Sequence, residues 1–246
     1  MDDLTQRQID ILAAIIKEHT ETGEPVGSEI IEKKYKLGVS PATIRNEMVE
    51  LEKKGYLAKT HFSSGRVPAP KGYRFYIKNI MKEKELSTVD EVAYKHSIWD
   101  EREKQYRMLS QAARVLAQKT GLLSLVMTST GELYYSGIGN LLHRNEFLNV
   151  DVTKNLFRRV EEINFWEEVL KQFYVSHEDI LYILGEEDFR DPIFLTCSSI
   201  FGEFDTPTTK GIIGVIGPKN IVFADVASQV RYLSQLIEEI LKTQNR

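Results

Sequence analysis

The stretch Ser40–Arg74, SPATIRNEMVELEKKGYLAKTHFSSGRVPAPKGYR, constrains the fold more than any other part of the chain. Ser40 can cap a helix through its hydroxyl, and Pro41 suits the first helical position, where a backbone N–H would lack a partner anyway. Ile44, Met48 and Leu51 then recur at helical spacing as one narrow apolar stripe. Gly55 ends the helix behind Lys53 and Lys54, which suit its negative end. Ala42, Asn46 and Lys53 fall opposite the stripe, with Thr43 and Arg45 on its flanks. That outward face is short, polar and able to reach base edges. Tyr56–Phe62 reads as a strand, Ser63–Arg66 as a tight turn, and Val67 as the start of a return kept short by Pro68 and Pro70. A helix followed by a small basic hairpin predicts a winged helix-turn-helix.

Charge supports a nucleic-acid partner. From Lys53 to Lys82 there are eight Lys or Arg and no Asp or Glu, and blocks of one sign mark such contacts. The net charge of −4 conceals a division. Residues 1–85 carry 15 basic and 13 acidic side chains, net +2, and residues 86–246 carry 17 and 23, net −6. An acidic body limits indiscriminate binding to phosphate and leaves the wing to steer the encounter.

The residues before the recognition helix complete a small domain. Thr5 with Gln8 has the pattern of a capping box, and Ile9, Leu12 and Ile16 form a buried stripe. Gly23 and Pro25 stop this helix; Ser28 is read as the cap of a second, with Ile30, Ile31 and Tyr35 as its apolar side. Leu37-Gly38-Val39 then turns into the recognition helix. The expected division is a winged helix-turn-helix at 1–78, a linker at 79–96 and an α+β domain at 97–246, with polar Glu83–Lys95 reading as linker or frayed helix. Trp99, Tyr106 and Ala113 recur every seven residues with Leu109 and Leu116 between them, predicting one long entry helix. Leu122–Thr128 and Glu132–Ile138 read as strands, and 153–174 as a helix. Further strands are expected at 180–184, 193–201, 210–216 and 221–224, the last two joined by a hairpin turn at Gly217–Asn220. A closing helix carries Val230, Leu233, Ile237 and Ile240.

Other classes find little support. With 42% hydrophobic residues the chain can build real cores, and no apolar run approaches the roughly 18 residues of a membrane span. The acidic N-terminus is not expected to act as a secretory signal, and the single cysteine, Cys197, fits a reducing cytoplasm. His19, His61, His96, His143 and His177 are scattered, so neither a catalytic nor a metal site is expected. Gly211-x-x-Gly214-x-x-Gly217 lacks dinucleotide-loop spacing, and Glu186-Glu187-Asp188 reads as solvated acids. No cofactor and no enzymatic activity are expected.

The DNA-binding residues expected from this pattern are Ser40, Thr43, Arg45, Asn46, Lys53, His61, Ser64, Arg66, Lys71 and Arg74. Asn46 can pair bidentately with adenine and Arg45 with guanine, while Thr43 reaches a base or a phosphate. Ser40 and the helix N-terminus favour phosphate oxygens. Lys53, His61, Ser64, Arg66, Lys71 and Arg74 would track the backbone or the adjacent minor groove. The competing reading pairs Arg45 with Glu29 or Glu50. Paired half-sites also call for a homodimer on double-stranded DNA.

The run from Pro25 to Ile77 resembles the N-terminal domain of the HrcA family, bacterial heat-inducible transcription repressors. The likeness is carried by S-P-A-T-I-R-N-E-M from Ser40, S-S-G-R-V-P from Ser63 and K-G-Y-R-F-Y from Lys71. Gly137-Ile-Gly-Asn-Leu-Leu142, Glu146-Phe147, Gly185-Glu186-Glu187 and Gly211–Pro218 extend it to the C-terminal half. The resemblance implies a GAF-like α+β domain and an inverted-repeat operator, the CIRCE element, upstream of groE- and dnaK-type chaperone genes. It also implies that the GroE chaperonin sustains repression. Two features depart from the family. The chain passes from Thr130-Gly131 almost directly to Gly137, leaving no room for the usual inserted dimerisation domain. Lys219-Asn220-Ile221 and Phe223 stand where the family has Thr-Arg-Met and a tyrosine. Two rival functions remain: a regulator controlled by a small-molecule ligand of the GAF-like domain, and a winged helix that binds protein.

Overall fold

A computed structural model describes residues 4–60, 65–99, 105–176, 179–185 and 196–244, and contacts divide the chain into units 1–82 and 83–246. In the first unit α1 (Gln6–Thr22) begins with the expected capping box, Thr5 and Gln8 each accepting the other's backbone N–H at 3.3 Å. It stops at Gly23, whose φ of 73° only a residue without Cβ adopts at little cost. Gly27, not Ser28, occupies the cap position of α2 (Ser28–Tyr35), and Ser28 is its first helical residue. Ile30 is 40% exposed, so of the expected apolar side only Ile31 is fully buried.

The recognition helix is α3 (Pro41–Lys53), and Ile44, Met48 and Leu51 are its buried residues. They join Ile11, Leu12, Ile15 and Ile31 in the core of this unit. The wing is β1 (Leu57–Lys59) paired antiparallel with β2 (Arg66–Pro68), shorter than the strand expected over 56–62. Val26 adds a further rung, exchanging both backbone hydrogen bonds with Arg66 at 2.9 Å. Beyond it α4 (Pro70–Asn79) lies so close to the wing that a Cβ on Gly72 would stand 2.3 Å from the Tyr56 carbonyl oxygen. That approach accounts for the glycine in K-G-Y-R-F-Y.

The stretch expected to be a linker, 79–96, contains most of a helix, α5 (Thr88–Trp99). Ser87 caps it by accepting the Asp90 N–H, and Tyr94 and Ile98 are fully buried, the Tyr94 hydroxyl donating to Gln229 at 2.6 Å. After residues 100–104, which lie outside the described residues, comes α6 (Gln105–Thr120). Tyr106 is 52% exposed and lies outside any seam, whereas Leu109, Ala113 and Leu116 are buried.

The second unit is built on an antiparallel five-stranded sheet. Its strands are β3 (Leu123–Thr128), β4 (Leu133–Ser136), β5 (Ile180–Ile183), β6 (Cys197–Asp205) and β7 (Lys210–Pro218), in the order β4-β3-β7-β6-β5. The Gly131 N–H donates to the Thr128 carbonyl at 3.0 Å, closing the β3–β4 connection as a tight turn. One sheet face meets α7 (Ile138–Leu142), a short 3-10 turn (Asn145–Phe147), α8 (Val150–Val160) and α9 (Ile163–Ser176). Leu123, Leu125, Met127, Phe201 and Ile216 of the sheet pack there with Phe147, Leu156, Val160 and Trp166. The single helix expected over 153–174 is thus α8 and α9, broken at Glu161-Glu162. The Trp166 indole N–H donates across that break to the Val160 carbonyl at 3.0 Å.

The closing helix is α10 (Phe223–Gln244), and Ser234 and Val230 on it approach Gly202 of β6 from the other side of the sheet. The strand expected at 221–224 does not form: Lys219-Asn220 is a turn that leads into α10 and not into a hairpin. Cys197 is a buried free thiol. Among the described residues no helix is long and apolar enough to cross a membrane, and no group of His, Cys, Asp or Glu could hold a metal ion. The acids at 186–188 lie outside the described residues.

Candidate nucleic-acid interface

Local chemistry sets the pose of α3. The Ser40 hydroxyl accepts the Thr43 N–H at 3.2 Å and lies 3.0 Å from the Thr43 hydroxyl, so both side chains are held at the first turn. Burial of Ile44, Met48 and Leu51 then turns Ala42, Arg45 and Asn46 into solvent, with Thr43 half-buried beside them. Among the described residues neither Arg45 nor Asn46 has a hydrogen-bond or ion-pair partner. Of the two expected competitors for Arg45, Glu29 and Glu50, the second is occupied, since it pairs with Lys53 at 2.8 Å. That hydrogen bond holds the Glu50 carboxyl below the usual carboxylate range. Arg45 also lines a cleft of about 270 Å³ with Ser28, Glu29, Met48 and Arg66. A guanidinium and a carboxamide standing free on one helical face are the pair that bidentate base recognition requires.

The basic residues around this face divide into two groups. Lys53 remains exposed at the end of α3 despite its pairing with Glu50. Arg66 does not stand out toward a backbone: its side chain is 12% exposed, and Nε donates to Glu52 at 2.7 Å while Nη1 donates to the Gly65 carbonyl at 3.3 Å. It ties the wing to α3. Lys71 donates to the Lys54 carbonyl at 3.0 Å and lies 4.3 Å from the Tyr56 ring centroid, so it covers the C-terminal end of α3. Arg74 is half-buried on α4. His61 and Ser64 lie outside the described residues. Thr43, Arg45, Asn46 and Lys53 therefore lie on α3 with Ser40 as its cap, while Arg66 joins it to the wing and Lys71 joins α4 to its C-terminal end.

The sequence reading missed two participants. Lys59 is exposed on β1 and opposite Arg66 in the ladder; its place in the acid-free run is the signal that could have found it. Glu47 accepts from Gln8 at 3.0 Å and pairs with Arg7 at 3.5 Å, linking α3 to α1. Those partners lie some forty positions upstream, beyond any local pattern.

A helix-turn-helix, a free polar face on its second helix and an adjoining basic two-stranded wing define a DNA-binding transcription regulator of the winged-helix class. Residues 1–64 match the family model for the LexA DNA-binding domain, and residues 71–227 match that for the HrcA protein C-terminal domain. The chain is 44% identical to the heat-inducible transcription repressor HrcA of Desulforamulus reducens, with 98% of this chain and 99% of the relative covered. It is 27% identical to that of Carboxydothermus hydrogenoformans over the same shares. The chain belongs to the HrcA family of heat-inducible transcription repressors. The D. reducens alignment runs over 346 positions against the 246 residues of this chain, so the relative carries long stretches with no counterpart here. A solved structure titled as a hypothetical protein shares the fold at a TM-score of 0.75 and 18% identity, covering 98% of this chain and 99% of that one. The architecture is a winged helix-turn-helix followed by an α+β domain.

Proposed function

We propose that this repressor binds as a homodimer to an inverted-repeat operator of the CIRCE type, upstream of groE- and dnaK-type chaperone genes, in the bacterial cytoplasm. The observation that carries the reading is the exposed, unpartnered pair Arg45 and Asn46 on α3. With α3 in the major groove, Asn46 reads adenine and Arg45 reads guanine, while Ser40, Thr43 and the helix N-terminus hold phosphates. Lys53, Lys59 and Arg74 supply the sequence-independent attraction, while Arg66 acts by holding the wing against α3 and Lys71 by holding α4 against the end of α3. Promoter choice and dependence on the GroE chaperonin rest on family membership.

Fluorescence anisotropy on inverted-repeat and scrambled duplexes across a salt series tests this. The operator should bind on the order of 10³-fold or more tightly than scrambled DNA, with both affinities falling as salt rises. Equal affinities would remove the reading. Adding GroE and ATP should raise the fraction of repressor that binds operator; an unchanged fraction would remove the chaperonin from the account. Control by a ligand of the GAF-like domain would need a pocket; Phe147, Trp166 and Phe201 fill the core beside the sheet, which leaves the open cleft along α8 as the place for one.

A further inference from the structure

The face formed by α7, the 3-10 turn and α8 is apolar, open and rimmed by charge. Leu148 and Val150 are 66% and 76% exposed and Leu142 is 47% exposed, all within nine residues of chain. They border a cleft of about 680 Å³ whose wall includes Lys154, Phe157 and Arg158 of α8 and Glu161 at its C-terminal cap. Among the described residues Lys154, Arg158 and Glu161 have no ion-pair partner. Their neighbour Arg159, by contrast, is engaged with Glu162 and lies 4.9 Å from the Phe165 ring centroid. An apolar patch left open beside unused charges of both signs is the composition of an interface core and its rim.

We propose that this face is where a second copy of the chain docks. Lys154 and Glu161 are seven positions apart on one side of α8, two turns or about 10.5 Å along the axis. Their midpoint falls between Phe157 and Arg158. Two α8 helices crossing antiparallel about a two-fold axis at that point bring Lys154 of each copy against Glu161 of the other, while Leu148 and Val150 of the two copies are covered. An isologous contact requires this mirrored arrangement, each charge finding its opposite at equal distance from the axis. A uniformly acidic or basic partner would leave one of the two charges opposed by its own sign. The surface lies wholly within unit 83–246 and rests on the homodimer of the operator reading; a dimer indifferent to the substitutions below would remove the surface and leave that reading in place.

Sedimentation equilibrium on the full chain tests it. The wild-type chain should be a dimer, and Leu148→Asp with Val150→Asp should raise the dissociation constant about 100-fold or more. Both side chains are already in water in the single chain, so the thermal transition of that variant at low concentration should stay in place. Lys154→Glu and Glu161→Lys should each weaken the dimer about tenfold, and the double exchange should bring most of the affinity back. The recovery keeps the test decisive even if the aspartate variant fails to fold. A monomeric wild-type chain, with the cleft serving an apolar small molecule or an unrelated protein, would overturn the proposal. So would a dimer indifferent to these substitutions, or a charge exchange without recovery.

Discussion

Helices α3 and α8 each bury one narrow stripe, and they differ in what they leave outside. Behind α3 lie Ile44, Met48 and Leu51; in front stand Ala42, Arg45 and Asn46. Behind α8 lie Leu156 and Val160; in front stand Val150, Lys154 and Arg158 beside the exposed Leu148. Excluding water from the front of α3 yields little, because it exposes little apolar area, so its partner must offer hydrogen-bond acceptors and negative charge. Excluding water from the front of α8 stabilises at roughly 25 cal/mol per Å² of apolar surface, so its partner should be another protein surface. One helix is suited to DNA and the other to a copy of itself.

The largest expected effect breaks the α8 side. Trp166 is 1% exposed, packs on Phe165 and Phe201, and bonds to the last turn of α8. Trp166→Ala should cost about 3–5 kcal/mol, read as a lower urea midpoint at an unchanged slope. A loss below about 1 kcal/mol would mean that α8 is held by other contacts.

On the α3 side, Asn46→Ala should cost about 1–3 kcal/mol in operator binding and relax preference at one base position, with the melting temperature unaltered. Equal losses on operator and random DNA would make Asn46 a phosphate contact. Arg66→Ala separates the wing's stability from its charge. Because Arg66 is mostly covered and bonded to Glu52, its removal should lower stability by about 1–3 kcal/mol. An unchanged melting temperature with a salt slope reduced by about one would instead place Arg66 on phosphate.

The smallest effect concerns Glu203 of β6. Burial pushes its carboxyl up from the usual glutamate value, the Asp205 carboxylate adds to the shift, and among the described residues Oε1 has no hydrogen-bond partner. A raised pKa means that the folded state favours the protonated form. Stability contributed by that form is therefore present below the ordinary glutamate pKa and is lost as pH rises through the folded value. Glu203→Gln lacks this loss, so the two proteins should converge at low pH and the variant should be the more stable above the window. Parallel stability–pH curves would show that the carboxyl is solvated in both states.

What could be read from the sequence was what neighbours a few residues apart decide. Ser40, Pro41 and the Ile44–Met48–Leu51 stripe specify α3 because caps and helical periodicity are local. The same holds for Thr5 with Gln8. Short apolar runs are ambiguous: 221–224 reads as a strand, yet Phe223 opens a helix continued by Val226 and Val230. The polar stretch before Lys95 lacked a period because α5 is held by Tyr94 and Ile98, and Tyr94 bonds to Gln229 more than a hundred residues away.

The sequence by itself thus determined a polar recognition face, a basic wing and an α+β body. Tertiary structure alone decided that Arg66 is bound to Glu52 while Arg45 stands free, since which of two identical cations is covered depends on how α3, β2 and Val26 converge. It also decided that Leu148 and Val150 lie outside although their chemistry is that of core residues. A side chain's hydrophobicity states what burial would gain. Only the packed neighbours determine whether the same chain can provide that burial or leaves it to a partner.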